Sequence, residues 1–260
     1  MSRLTRISAI FFTVMLAVLL GTAGFAMPVY ADSAVTVAND DAFEAALRDG
    51  SVTSITLAYT PAAVRSGVTV SRPLTIVGSG GEMISDGGAI TVTAEGKLDI
   101  SGLKLRSDND YIIKSGGAVT LKDGMSISGV YGIELSGGGS LTSGGAAVKV
   151  DDSVKNAVAV TSGSASVSNI NLSGGQNLIY VSQNASALNL SGAVTISNNN
   201  GNAIICSTGG SASTVAIADG ANITLNAPNA YTADGYHGAA IENYNGKITV
   251  GNLAIVNATG

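Results

Sequence analysis

Short triplets in which a polar or small residue separates two apolar residues recur from Ile55 onward. Val68-Thr69-Val70 and Ile90-Thr91-Val92 are two clear examples. This alternation is typical of a short β-strand with two side chains directed inward and one outward. One series of triplets begins at residues 68, 90, 112, 133, 158, 179, 204 and 241, so its spacing is close to 22 residues except in the last step.

Two further series interleave with the first, giving three short strands in each repeat of about 22 residues. A leucine-rich repeat would need helical or extended outer segments, and a propeller blade would use about 40 residues. A β-sandwich gives no reason for a three-phase period. The pattern therefore predicts an all-β chain folded as a parallel β-helix, with three short strands per coil and about eight coils. In the second series the member between residues 121 and 165 is weak, and we place it near Leu141.

The residues between triplets are mostly Gly, Ser, Asn and Asp, as corners with φ > 0 require. Asn side chains at corners tolerate left-handed conformations or stack between coils. The outward positions predicted for the first series begin with Thr69, Thr91, Ile113 and Glu134, which is no regular threonine array. This pattern excludes an ice-binding surface on that face.

An N-terminal cap is predicted over residues 32–50, with the coils over 51–260. Residues 35–37 read as a strand and residues 40–48 as a helix, with Asp40 or Asp41 as its N-cap. Phe43, Ala46 and Leu47 form one apolar face of that helix. No equivalent cap is visible at the C-terminal end, so we expect further coils or domains downstream.

Residues 1–31 have the pattern of a secretory signal peptide. Arg3 and Arg6 precede the apolar stretch 7–27, and Val29-Tyr30-Ala31 supplies a small-residue cleavage pattern. An uncleaved membrane anchor is the alternative. We expect a secreted or cell-surface chain with no membrane insertion after cleavage. In that setting the single cysteine, Cys206, has no internal disulfide partner and is expected to face the core.

Composition excludes several classes of function. The chain has 13 Lys+Arg against 18 Asp+Glu and a formal net charge of −5, which argues against nucleic acid as a partner. One cysteine supports neither a disulfide framework nor a cysteine-based zinc site.

The region from Val35 to Gly80 resembles the opening of pectate-lyase-like right-handed β-helix proteins. A capping helix is followed by the strand Ile55-Thr56-Leu57 and then by Arg72-Pro73-Leu74-Thr75-Ile76-Val77-Gly78. The order is most similar to that of the adhesive pectate-lyase-like domains of bacterial cell-surface proteins. The resemblance implies a right-handed solenoid, a surface or secreted location, and either carbohydrate cleavage or adhesion.

A lyase of this kind would need Ca²⁺ held by carboxylates on neighbouring coils and a nearby Arg or Lys as base. Asp86 and Asp108 are 22 residues apart and so are expected to stack one coil apart, with Asp110 close by. They are the candidate Ca²⁺ ligands, and Arg106 or Lys104 is the candidate base. The alternative is that the three carboxylates are solvated corner residues.

The long last step of the first series inserts a loop rich in tyrosine. Tyrosine rings can stack on sugars while their hydroxyls form hydrogen bonds. The predicted glycan-binding residues are therefore Tyr231, Tyr236, His237 and Tyr244. A solvated loop without a ligand is the alternative.

These observations favour a non-catalytic, secreted or cell-surface module for adhesion or glycan binding. Its expected partner is a polysaccharide or a cell-surface glycan, and no cofactor is expected apart from Ca²⁺ as a candidate. A Ca²⁺-dependent polysaccharide lyase is one alternative, and a structural spacer in a larger surface protein is another.

Overall fold

A computed structural model describes residues 33–197, 204–206, 213–226, 241–243 and 246–259. The predicted signal peptide, residues 1–31, lies outside the described residues. The elements are β1 (Ser33–Val37), α1 (Asp40–Arg48), β2 (Val52–Leu57), β3 (Ala62–Val64), β4 (Val68–Val70), β5 (Pro73–Ser85), β6 (Ile90–Val92), β7 (Lys97–Ser107), β8 (Ile113–Ser115), β9 (Ala118–Leu121), β10 (Ser126–Gly129), β11 (Tyr131–Ser136), β12 (Ser140–Thr142), β13 (Ala147–Val150), β14 (Asn156–Gly174), β15 (Asn177–Val181), β16 (Ala185–Ser197), β17 (Ile204–Cys206), β18 (Thr214–Ile217), β19 (Asn222–Asn226), β20 (Ile241–Asn243), β21 (Lys247–Val250) and β22 (Ile255–Thr259).

All the strand pairs are parallel, and each strand pairs with the equivalent strand of the next turn. We call the surface formed by the first series the first face; its strands, in order, are β4, β6, β8, β11, the start of β14, β15, β17 and β20. The chain is therefore an all-β parallel solenoid of about 7 turns, close to the eight predicted.

The other two series form the second and third faces. Strands β5, β7, β14 and β16 are long because each runs over both faces without a break in its strand assignment. The weak member of the second series is β12, where Leu141 pairs with Val119 of β9 and Val167 of β14. This confirms the predicted position of the missing strand.

One register prediction on the first face is wrong. Ile90 pairs with Ile113, so the outward residue of β8 is Lys114 and not Ile113. Ile112 and Ile113 are both fully buried. This register buries both isoleucines and lets the lysine reach solvent. It is more favourable than the predicted register, which would expose Ile113 and turn the charged Lys114 inward.

The corner between the second and third faces uses left-handed backbone. Gly102 and Gly192 have φ of 62° and 66°, and Asn169 has φ of 45° at the same corner of an intervening turn. The Oδ1 atom of Asn169 accepts a hydrogen bond of 3.1 Å from the backbone N–H of Ala193 in the next turn. The predicted role of asparagine at corners is confirmed here, because its amide both tolerates this conformation and links two turns.

The inward ends of the triplets form one continuous apolar core from Val37 to Leu225. Ile76, Ile100 and Leu121, from successive turns, are all fully buried. Five large apolar side chains are exposed among the described residues, and all lie near the C-terminal end: Ile248, Val250, Leu253, Ile255 and Val256.

Helix α1 covers the first turn, as predicted, with Phe43, Ala46 and Leu47 buried. Its N-cap is Asn39 and not Asp40 or Asp41. The Asn39 side chain accepts a hydrogen bond of 2.9 Å from the N–H of Ala42, and its own backbone is extended. The aspartates instead occupy the first helical turn, where negative charge is favourable. No helix in the described part of the chain has the length and apolarity needed to cross a membrane.

Candidate functional site

Tyrosines and asparagines accumulate at partly exposed positions of four successive turns, in or next to the strands of the first face. We call this surface the tyrosine face and define it as Tyr111, Tyr131, Asn156, Asn177 and Tyr180. The strand register stacks Tyr131, Asn156 and Asn177 in three consecutive turns. Since neighbouring parallel strands are about 4.8 Å apart, the face extends about 15 Å along the solenoid from its first turn to its fourth.

Four residues of the tyrosine face, Tyr111, Tyr131, Asn156 and Asn177, contact one another. The rings of Tyr111 and Tyr131 have centroids 5.2 Å apart and are inclined by 52°. The Nδ2 atom of Asn156 donates to the Tyr111 hydroxyl at 3.3 Å, and that of Asn177 donates to Asn156 Oδ1 at 3.3 Å. Rings and amides are thus held in fixed positions, which lowers the entropy lost when a ligand binds.

Burial raises the pKa of Tyr111 to about 12. The hydroxyl therefore keeps its proton at all physiological pH values. It remains both a hydrogen-bond donor and an acceptor, so it can serve either kind of partner.

The rings of the tyrosine face can be reached from solvent. Tyr111, Tyr131 and Tyr180 are all partly exposed. A surface of partly exposed rings bordered by amides can stack against an apolar ring face and hydrogen-bond to hydroxyls around its edge.

Two charged residues next to this face, Lys114 and Glu134, are paired. The Lys114 ammonium lies 2.6 Å from an oxygen of Asp110 and 4.0 Å from one of Glu134. Glu134 also accepts a hydrogen bond from the Thr161 hydroxyl.

An open cleft of about 340 Å³ adjoins the face at Lys114. Its lining includes Gly67, Gly87, Asp110 and Lys114. A Cβ atom at Gly67 would meet nothing within 4 Å, and one at Gly87 would meet only the carbonyl of Arg65 at 3.7 Å. The cleft therefore exists partly because two corner positions have no side chain.

The candidate Ca²⁺ ligands lie near this cleft, but the nearby cations engage two of them. Asp86 and Asp108 lie two residues after Ile84 and Arg106, which pair with each other in register. The two aspartates are therefore one turn apart, as the sequence predicts. Asp108 forms an ion pair of 3.2 Å with Arg106. Asp110, as noted, pairs with Lys114.

Within the described ranges, no three Asp, Glu, His or Cys side chains are grouped closely enough to hold a metal ion. Lys104, the other candidate base, pairs with Asp151 at 3.1 Å and with Glu82 at 3.6 Å. The calcium site stays a prediction without a ligand cluster, and the two candidate bases are both engaged by carboxylates.

The predicted glycan-binding residues Tyr231, Tyr236, His237 and Tyr244 lie outside the described residues. The triplet pattern alone does not predict the tyrosine face, although the sequence contains a signal for it. Tyr111, Tyr131, Asn156 and Asn177 each lie two residues before a first-face isoleucine or valine that pairs in register. Aligning the flanks of the triplets, and not only their centres, would have found this column.

No family model, no curated protein and no solved structure matches the chain.

Proposed function

We propose that this protein is a non-catalytic module that binds glycans through the tyrosine face and acts in adhesion at a cell surface. The observation that carries the proposal is the column of tyrosine rings and amides on four neighbouring turns, held by the Asn156 and Asn177 hydrogen bonds. A signal peptide in residues 1–31 would deliver the module to the outside of the cell, where such ligands occur.

The chemistry of the face suits a sugar. A pyranose ring has a face of C–H groups and an edge of hydroxyls, so it matches a tyrosine ring flanked by amide donors and acceptors. Backbone hydrogen bonds between parallel strands fix the spacing of these groups along the solenoid. The surface is therefore preorganised, and binding needs little rearrangement.

A non-catalytic role is favoured by the pairing of charged groups next to the face. General acid–base catalysis needs a titratable group within hydrogen-bond reach of the substrate. Glu134 and Lys114, two such groups next to the face, are engaged with each other and with Thr161 and Asp110. The sugar-binding groups that remain are phenols and amides, which bind without transferring a proton at neutral pH.

Glycan binding can be tested with the full chain, secreted and folded, on immobilised neutral and acidic polysaccharides. We expect retention of the protein on at least one polysaccharide. Tyr131→Ala and Tyr180→Ala, made separately, should each weaken binding about fivefold to thirtyfold, which corresponds to about 1–2 kcal/mol per contact residue. Thr56→Ala, an exposed outward position on the second face, is the matched control and should bind as the parent does.

Circular dichroism of each variant separates loss of binding from loss of folding. Tyr180→Ala is the more important variant here, since Tyr131 also packs on Tyr111. Absence of binding to every polysaccharide would refute the proposal and favour the spacer role. Release of unsaturated, ultraviolet-absorbing products from polygalacturonate in the presence of Ca²⁺ would instead establish the lyase alternative.

A further inference from the structure

We infer that the glycan bound by the tyrosine face is an uncharged one, and that anionic glycans such as polyuronates are excluded. This inference rests on the proposed function and adds to it the chemical class of the ligand. It follows from how charge is distributed around the face.

The face has no guanidinium group. The last arginine of the chain is Arg106, and the face begins at Tyr111. Arginine is the side chain that binds carboxylate and sulfate groups with two parallel hydrogen bonds. A uronate lying on these tyrosines would have no such partner.

The ammonium of Lys114, which pairs in register with Glu134, is already neutralised. Lys114 lies 2.6 Å from Asp110 and 4.0 Å from Glu134, so two carboxylates compete for it. Glu134 pairs in register with Ala159, whose next partner is Tyr180. At this point of the surface an anionic sugar would meet two carboxylates, Asp110 and Glu134, against the single Lys114 ammonium, and like charges at short range oppose binding.

Lys155 is the other cation beside the face, since it directly precedes Asn156 and is exposed. With it, the formal charges of Asp110, Lys114, Glu134 and Lys155 sum to zero. A single exposed ammonium at a corner is strongly hydrated and gives no planar fork for a carboxylate. Lys155 therefore adds solubility more than it adds specificity for an anion.

Beyond Lys155 the chain carries no charge for a long stretch. From Asn156 to Ala218 there is no Asp, Glu, Lys, Arg or His. The half of the face that contains Asn177 and Tyr180 lies within this stretch, and outward positions on its other faces are mainly serine, asparagine and alanine. Uncharged hydroxyls and amides match the hydroxyls and acetamido groups of neutral sugars.

The test measures binding of the full chain to two sets of hexasaccharides by calorimetry. The neutral set contains cellohexaose, mannohexaose and N-acetylchitohexaose, and the anionic set contains hexagalacturonate and a hyaluronan hexasaccharide. We expect measurable affinity for at least one neutral sugar, with little dependence on salt, and an affinity for the anionic set that is weaker by about tenfold or more.

Glu134→Gln makes the test specific to charge. Glutamine keeps the shape of the side chain and its ability to accept a hydrogen bond from Thr161. Removing the carboxylate should increase binding of the anionic sugars about twofold to fivefold, as expected for one partly exposed charge, and leave neutral binding unchanged. Glu82→Gln, on the third face, is the matched control and should change neither.

The outcomes separate the two proposals. Binding of hexagalacturonate as tight as that of any neutral sugar would overturn the inference while the proposed function stands, and its loss in Lys155→Gln would identify the cation responsible. Binding of none of the sugars would overturn the proposed function itself. Neutral binding that disappears in Tyr180→Ala, with anionic binding weaker by about tenfold or more in the parent chain, would support both.

Discussion

Arg72 fixes helix α1 to the first turn of the solenoid, and replacing it should be among the most damaging single changes in the chain. It is a buried charged residue, with only 4% of its surface exposed. Its Nε donates to the carbonyl of Val52 at 2.8 Å, and its Nη2 donates to those of Ala46 and Leu47 at 3.3 and 3.1 Å. Two of these carbonyls belong to the last turn of the helix, where no further helical N–H can reach them.

The size of the effect follows from these contacts. In Arg72→Met the apolar stem is kept, but three carbonyls lose a charged donor. A hydrogen bond to a charged group contributes about 1.5–3 kcal/mol. Since one nitrogen is shared between two carbonyls, we count two bonds, or about 3–6 kcal/mol. Relief from burying the guanidinium offsets part of this, so we expect a loss of about 3–5 kcal/mol in the free energy of unfolding.

Equilibrium unfolding in urea, followed by circular dichroism, measures the change. Arg106→Met is the matched control, because that arginine is half exposed and its ion pair with Asp108 is a surface one. Its cost should be below about 1 kcal/mol. Arg72→Lys should fall between the two, since a lysine keeps the charge but not the planar fork.

A loss below about 1 kcal/mol in Arg72→Met, equal to that in the Arg106 control, would refute the reasoning. It would mean that water satisfies the helix carbonyls once the guanidinium is gone. The cap would then be held by the apolar contacts of Phe43 and Leu47 alone.

Two further predictions concern a corner and the cap. Gly174 and Gly138 have φ of 100° and 103°, but a Cβ at Gly174 would lie 1.9 Å from the Val150 carbonyl, while one at Gly138 would meet nothing within 4 Å. Gly138→Ala should therefore lower the free energy of unfolding by about 1–2 kcal/mol, from backbone strain alone. Gly174→Ala should lower it clearly more, and urea unfolding measures both changes. Equal losses in the two variants would contradict the steric argument. The backbone N–H of Ala63 lowers the pKa of Asp40 below its usual 3.8. The stabilisation that this contact gives is complete above pH 3.8 and is lost as the pH falls through the lower pKa of the folded state. The free energy of unfolding should therefore decline in that pH range. It should decline less in Asp40→Asn, which has no carboxylate to protonate at this position.

The sequence determined most of the fold because the signal for each strand is local. In most triplets the alternation along the strand decides which side chains face inward, so the burial of Ile90 and Val92 follows from their own sequence without knowledge of their neighbours. The apolar face of helix α1 was predicted for the same reason. The choice of Asn39 as N-cap was missed because adjacent Asn and Asp residues have nearly equal preference for that position.

The functional surface depended on information that no local pattern contains. Neighbours on the tyrosine face are a whole turn apart in sequence, and turns differ in length, so a shift of one residue changes which side chain faces out. The error at β8 shows this: packing of two adjacent isoleucines, Ile112 and Ile113, moved Lys114 to the outside. That shift placed the ammonium beside Glu134 and the ring of Tyr111 against that of Tyr131. The alternation of residues thus determined the solenoid, and the lateral register between turns decided which chemistry it displays.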